Sequence, residues 1–236
     1  NSNNYLGMLW ELLNPMIQLS IYWVVFGMGI RGGREVGDIP FVLWLITGMV
    51  VWFFMHTSIM EGSKSIYSRI NFIAKMSFPM SVIPTYVIFS KFYAHLMLVG
   101  VVTIILQFTD YSISVYFIQL PYFMFCAIVF LVSLSLITST LSTIIRDVQM
   151  VVQSAVRMLL YLTPLLWVPA GMFATIMKFN PIYYIVEGYR ASLLGQGWYI
   201  TDHPALTLYF WGFVLLMLLI GSSLHVKFRD RFVDYL

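Results

Sequence analysis

The hydrophobic residues of this chain fall into six long blocks, parted by short polar stretches or by glycine- and proline-marked breaks. A helix needs about 20 mostly apolar residues to cross the hydrocarbon core of a membrane, and the blocks have that scale. The first covers Met16–Ile30, with Leu6–Leu13 lengthening it across a bend expected at Asn14-Pro15, where the residue before proline is pushed out of helical geometry. The second opens at Pro40 and runs to about Met60, the third covers Ser81–Phe108 and the fourth Leu120–Ile145. The fifth runs Val148–Trp167 and the sixth Ala205–Val226. A short polar loop, Arg31–Asp38, joins the first two, and the longer basic loop Glu61–Met80 has room for a helix of its own. Turns at Thr109–Ser114 and Arg146-Asp147 serve the later spans. The expected fold is an all-α polytopic membrane protein with six transmembrane helices, forming one domain over residues 1–236.

The stretch from Pro164 to His203 does not fit the pattern. Pro164, Pro169, Gly171, Pro181, Gly188, Gly195 and Gly197 cut its apolar residues into pieces too short to span. Proline and glycine break or cap helices, which predicts two short ones, roughly Ala170–Lys178 and Ile182–Leu194. Such pieces lie at the membrane surface, or dip in and return where protein or water satisfies their backbone.

Composition supports the membrane reading. The 236 residues are 60% hydrophobic and only 10% charged, whereas a soluble domain carries about 25% charge. A net charge of +3 with scattered basic residues gives no footprint for nucleic acid. The single Cys126 excludes an intrachain disulfide. With the Glu61–Met80 loop inside, the cytoplasmic side carries Lys64, Arg69, Lys75, Arg146, Lys227, Arg229 and Arg231 against Arg31, Arg34, Lys178 and Arg190 outside. The positive-inside rule then places both termini in the cytoplasm and the broken segment outside.

Motif-like strings carry little chemistry. Gly27-Met28-Gly29-Ile30-Arg31-Gly32 matches GxGxxG, but it ends a span instead of joining a strand to a helix, so it reads as close packing and a turn. Gly62-Ser63-Lys64-Ser65 lacks the upstream glycine of a phosphate-binding loop, and His56, His95, His203 and His225 share no metal-ligand spacing. No catalytic or metal site is expected in this chain, and no cofactor. Polar residues inside the spans say more. Glu11, Asn14, Gln18 and Tyr22 recur on one helix face, as do Gln149, Gln153, Arg157 and Tyr161, while Lys91 and His95 form an i, i+4 pair. Charge within hydrocarbon is costly unless it meets protein or water, so these residues are expected to turn inward along a polar path. Ser133, Ser135, Ser139, Ser142 and Thr143 read instead as a small-residue packing face.

Six spans, the basic loop and the string Asn180-Pro181-Ile182-Tyr183-Tyr184-Ile185-Val186-Glu187-Gly188-Tyr189-Arg190 together resemble the membrane subunit of ABC-2 type polysaccharide exporters. Leu6–Pro15 and Val25-Phe26-Gly27 look like that family's opening of the first span, and Gly195–Leu208 looks most like the teichoic-acid translocation permeases. The resemblance covers essentially the whole chain. O-antigen and capsule permeases share most of these features.

The resemblance implies a bacterial plasma-membrane half-transporter. Two copies would form the pore, each docked to a separate ATP-binding subunit that holds ATP and Mg, and the complex rather than this chain would hydrolyse ATP. The cargo implied is a lipid-linked glycopolymer, wall teichoic acid on undecaprenyl diphosphate foremost, flipped or threaded to the outer side. A small-molecule efflux permease of the same superfamily and a non-transporting membrane assembly factor are the rival readings. The family's coupling helix maps onto Glu61, Lys64, Tyr67, Arg69, Asn71, Phe72 and Lys75, with Arg146-Asp147 as a second contact. The translocation path would use Gln18, Tyr22, Trp23, Phe26, Trp52, Lys91, Gln153, Arg157 and Tyr161. Asn180, Tyr183, Tyr184, Glu187, Tyr189 and Arg190 would form the extracytoplasmic gate. Glu187 and Arg190, three apart on a helix, can pair, and an exchange of the two is expected to restore part of the function lost when either is neutralised.

The orientation is directly testable. In a Cys126→Ser background, cysteine placed at Gly33, Ser112 or Gly197 reacts with an impermeant thiol reagent on intact cells, whereas cysteine at Ser65 or Asp230 reacts only after permeabilisation. The reverse pattern would invert the topology.

Overall fold

A computed structural model describes residues 7–70 and 79–231, all helix, turn and loop apart from an isolated two-residue bridge between Val36 and Ile39. Helix α1, Leu9–Tyr22, runs through Pro15 without ending there, and the bend expected at Asn14-Pro15 is not a break. It continues into a wider helix over Trp23–Ile30, closed where the Arg31 amide donates to the Phe26 carbonyl five residues back at 3.1 Å. The glycine string lies in this wide turn. Gly27 is buried, and a Cβ there would approach the Phe41 ring to 2.8 Å, which makes it a packing glycine.

Helices α2, Phe41–Ser63, α3, Val82–Gln107, and α4, Leu120–Ile144, follow the second to fourth apolar blocks closely. The last block is α9, Pro204–Phe228. Counting the wide turn with α1, five helices among the described residues are long and apolar enough to cross a membrane. The fifth block differs. Its helix α5, Val148–Leu162, has 15 residues rather than the twenty expected to Trp167, which gives about 22 Å at 1.5 Å per residue, against about 30 Å of hydrocarbon. Pro164 is the cause: it has no N–H to donate, and it forces Thr163 out of helical geometry. The chain turns there, with the Leu165 amide donating to the Thr163 carbonyl at 2.7 Å.

The broken segment forms α6, Met172–Met177, and α7, Pro181–Leu194, then the single turn α8, Tyr199–Asp202. The start and stop of α7 are written in its sequence. Asn180 caps it, its side-chain oxygen accepting from the Ile182 amide at 3.0 Å, Pro181 occupies the first turn, and Gly195 ends it in the left-handed conformation at φ +69°.

Two compact units divide the chain. One comprises Asn1–Phe54, Tyr93–Phe123 and Leu160–His203, and its core contains most of α7, buried from Ile182 through Leu194 except at Tyr183 and Glu187. The other comprises Met55–Phe92, Met124–Leu159 and Pro204–Leu236. Small residues let helices approach closely in this second unit. A Cβ on Gly62 would stand 3.1 Å from that of Ser135, and one on Gly221 would stand 2.9 Å from that of Leu136 and 3.3 Å from the Ser133 carbonyl. Ser133, Ser135, Ser139, Ser142 and Thr143 are all buried.

In the first unit Gly188 lies directly against the Phe123 ring, which a Cβ would overlap. Gly188→Ala is therefore expected to cost about 1–3 kcal/mol by overpacking. Thermal unfolding in detergent reads the loss, and Phe123→Leu in the same background should return part of it; a Gly188→Ala variant as stable as the parent would contradict the packing.

Candidate functional site

The string that begins at Asn180 is organised by one buried cation. Arg190 on α7 is only 1% exposed. Its Nε donates to the Trp44 carbonyl of α2 at 3.0 Å, and its Nη1 donates to the Pro164 carbonyl and to the Glu187 carboxylate at 2.9 Å. The guanidinium carbon also sits 3.7 Å from the centroid of the Trp44 ring, a cation–π contact in a desolvated place. Gly48, one turn beyond Trp44, makes the room, since a Cβ there would come within 2.8 Å of that carbon. Burial pushes the Arg190 pKa down, and the charge and hydrogen bond of Glu187 push back. The i, i+3 pair foreseen in the sequence is present, and two main-chain carbonyls join the carboxylate in holding the cation, which leaves only Nη2 without a hydrogen bond.

Around this anchor the aromatic residues of α7 are tied down one by one. Tyr189, fully buried, has its hydroxyl 2.8 Å from His95 Nε2, and the His95 ring stacks on Phe54. Tyr184 meets the Tyr122 hydroxyl at 3.1 Å and packs against Phe123 and Tyr199. Tyr199 is in turn held by Gln119, which accepts from its amide at 3.1 Å and donates to the Gly197 carbonyl at 2.8 Å. Asn180, besides capping α7, donates to the Thr163 hydroxyl at 2.9 Å. Asn180, Tyr183 and Glu187 keep partial exposure. The Tyr183 hydroxyl is pushed up to about 12, chiefly by burial, with Glu187 adding and Arg190 opposing. Burial likewise raises that of Tyr199. Both stay neutral hydrogen-bonding groups at any physiological pH.

The residues expected along the path are spread out. Gln18, Trp23, Arg157 and Tyr161 are exposed on α1, its wide turn and α5; Tyr22, Phe26, Lys91 and Gln153 are half-buried; Trp52 is enclosed at 3% exposure. Expected to turn inward, the polar faces of α1 and α5 lie at the surface of the single chain, since each of these helices carries too few neighbours to cover them.

The basic loop and the Arg146-Asp147 turn are brought together in the second unit. The Arg146 guanidinium lies 5.3 Å above the Tyr67 ring, and Gln149 accepts from the Ser63 hydroxyl at 2.5 Å. Glu61 and Lys64 pair at 3.3 Å on the exposed side of α2's last turn. Arg69 bonds the Ser65 carbonyl and the Ser68 hydroxyl, and Asp147 is exposed. Asn71, Phe72 and Lys75, in the last third of the expected coupling helix, lie outside the described residues. No group of three His, Cys, Asp or Glu suited to a metal occurs among the described residues.

Sequence reasoning missed Trp44, Gly48, Gln119, Tyr122 and Thr163, and gave His95 a different neighbour. Their partners lie from 17 to 146 positions away, and no local spacing announces such pairs.

Several long apolar helices together with a short broken segment define a multi-pass membrane protein. Residues 2–194 match the ABC-2 type transporter family, and the chain belongs to it. Two O-antigen export system permease proteins RfbA of Klebsiella pneumoniae are each 26% identical to this chain, over 239 and 235 residues, covering 99% and 98% of it and 89% and 87% of the relatives. A protein of the same name from Myxococcus xanthus is 22% identical over 194 residues, 80% of this chain and 73% of its own length.

The anchor predicts an asymmetry. Arg190→Gln leaves two carbonyls and a carboxylate facing a neutral group and should cost about 3–5 kcal/mol, seen as lost folded yield and a lowered melting temperature. Glu187→Gln should cost less, because the carboxylate is 24% exposed and the carbonyls still hold the cation. Exchanging the two residues should restore nothing, contrary to the expectation from helical spacing alone, because a carboxylate at 190 would face the Trp44 and Pro164 carbonyls. Recovery in the exchange variant would show that the carbonyls do not matter.

Proposed function

We propose that the chain is the membrane subunit of an ATP-driven exporter that carries a lipid-linked cell-surface polysaccharide across the bacterial plasma membrane, with two copies forming the pore and an ATP-binding subunit, holding ATP and Mg, docked on each. The reading is carried by family membership together with three relatives named as O-antigen export permeases, two of them aligned over nearly the whole chain. Of the polymers that the sequence resemblance implied, these relatives favour an O-antigen-like glycan; none of the three is a teichoic-acid permease.

Geometry supports the division of labour. The Tyr67–Arg146 stack joins two sequence-distant loops into one surface with Arg69, Glu61, Lys64 and Asp147 about it, mixed in charge and anchored by an aromatic. Such a surface suits a protein partner better than lipid, since it offers both signs of charge and a fixed platform. Movement of that partner on ATP binding would reach α2 and α5 directly, because the two loops are the ends of those helices. On this reading the gate residues Asn180, Tyr183, Tyr184, Glu187, Tyr189 and Arg190 set the rigidity of the outer segment, with Asn180, Tyr183 and Glu187 partly presented to cargo. Gln18, Tyr22, Trp23, Phe26, Lys91, Gln153, Arg157 and Tyr161 would line the path where the two copies meet, and Trp52 would support it from within.

Arg146→Glu combined with Arg69→Glu is expected to reduce co-purification of the ATP-binding subunit at least tenfold, with an unchanged melting temperature for the membrane subunit alone. In proteoliposomes of the wild-type complex, ATPase activity should rise on adding undecaprenyl-diphosphate-linked O-antigen and should respond less to a polyol-phosphate polymer on the same carrier. Full partner binding by the double variant would remove the loops from the docking surface, and a preference for the polyol-phosphate polymer would restore the teichoic-acid reading.

A further inference from the structure

A cavity of about 380 Å³ opens in the second unit, where the chain enters α3 and leaves α9. The end of the Glu61–Met80 loop, at Pro79 and Met80, forms part of its rim. Its walls divide by chemistry. Ser81, Ser222, His225, Arg229 and Asp230 supply hydroxyl, imidazole, guanidinium and carboxylate groups, whereas Met80, Leu136 and Val226 supply apolar surface. His225 is nearly buried, while Arg229 reaches solvent with its side chain 58% exposed. The volume falls within the usual range for small-ligand sites, about 300–1,000 Å³.

Depth in the membrane gives this mixture a meaning. The cavity is bordered by α3 at its first residues, α9 in its last two turns and Leu136 of α4 about two turns inside its end, which in a membrane is the depth where headgroups meet the first carbons of the tails. An occupant at that depth has a polar end toward water and an apolar end toward the chains. The charged groups of the polar end are Arg229 and Asp230, one of each sign, with Lys227 and Arg231 as further cations close by in sequence. Asp230 holds Arg229 only loosely, at 4.0 Å with 90% exposure of its own side chain, and a pair so exposed contributes about 0–1 kcal/mol. An anion of higher charge can therefore take Arg229 from it. Ser81, at the entry to α3, adds a hydroxyl beside a helix N-terminus, whose partial positive charge favours the same sign.

We propose that this cavity binds the phosphate head of an amphiphile, with Arg229, Ser81, Ser222 and His225 on the phosphate and the Leu136–Val226 wall against the first carbons of the tail. The chemistry is shared by an anionic bilayer phospholipid and by a polyprenyl diphosphate, and the site would serve either as a fixed lipid at the subunit's edge or as a holding place for a lipid carrier. The assignment stands without the proposed export function.

The full-length protein, purified in detergent and supplied with phosphatidylglycerol, a phosphate-free glycolipid of the same acyl chains, polyprenyl diphosphate or inorganic diphosphate, is read by native mass spectrometry. Phosphatidylglycerol should be retained over the glycolipid. Arg229→Gln should lower its occupancy about fivefold, the effect of one cation near an anionic headgroup, Ser222→Phe should lower it by filling the cavity, and Asp230→Asn should raise it. Because the last variant gains binding, a loss of folding cannot imitate it. Displacement by equimolar polyprenyl diphosphate would assign the site to the carrier; retention of phosphatidylglycerol against it would assign it to the bilayer lipid. Equal retention of the glycolipid, unchanged binding in Arg229→Gln and Ser222→Phe, or displacement by inorganic diphosphate alone would each overturn the proposal.

Discussion

The broken segment depends on how a guanidinium is kept out of water. Removing a cation from water carries an effective penalty of several kcal/mol, and Arg190 meets that penalty with three acceptors and an indole face. The acceptors come from α2, from the turn at Pro164 and from α7 itself. One side chain thus fixes the position of a hydrogen-bonded helix, a proline turn and the helix that bears it. Lysine could not do this, having no planar fork to reach two carbonyls and a carboxylate while stacking on a ring. Nor could a larger residue replace Gly48, since the space it leaves is where the guanidinium lies.

From that anchor follows the odd length of α5. A fifth helix continued to Trp167 would carry residues 163–166 past the point where the Pro164 carbonyl meets Arg190. Ending at Leu162 instead frees that carbonyl from helical bonding and turns it to the cation. The proline that shortens the helix and the arginine that uses the exposed carbonyl are two halves of one arrangement. Asn180, bonded to Thr163 at the same turn, fastens the start of α7 beside it.

Much of the architecture was legible in the sequence because the membrane imposes a length. The second, third, fourth and sixth apolar blocks match α2, α3, α4 and α9 to within a few residues, and the cap at Asn180 and stop at Gly195 delimit α7 as written. Pro15, the seventh residue of α1, removes one hydrogen bond without forcing an end, and the helix runs on through it. The Glu187–Arg190 pair was readable since i, i+3 is a local spacing; the Trp44 and Pro164 carbonyls were not, as main-chain acceptors leave no trace in residue identity. The same holds for Tyr67 with Arg146 and for His95 with Tyr189, whose proximity is a product of helix packing over long separations.

The helices left least covered are the ones with the most polar apolar-phase faces. Only 11% of the Leu9–Ile30 span is buried, against 78% of Phe41–Ser63, and the first carries Glu11, Asn14 and Gln18 on its open side while α5 exposes Arg157. A cation halfway along an apolar helix is unfavourable against lipid tails by about 2.5–3.5 kcal/mol on insertion scales. Those faces are therefore incomplete as they stand in one chain and require protein or water opposite them. The proposed second copy supplies both, protein at its contact and water along a shared polar route. On that account the chain separates two demands that conflict in a single bundle. Rigidity is built around a buried arginine whose partners are all internal, and passage is left to surfaces that only assembly can close.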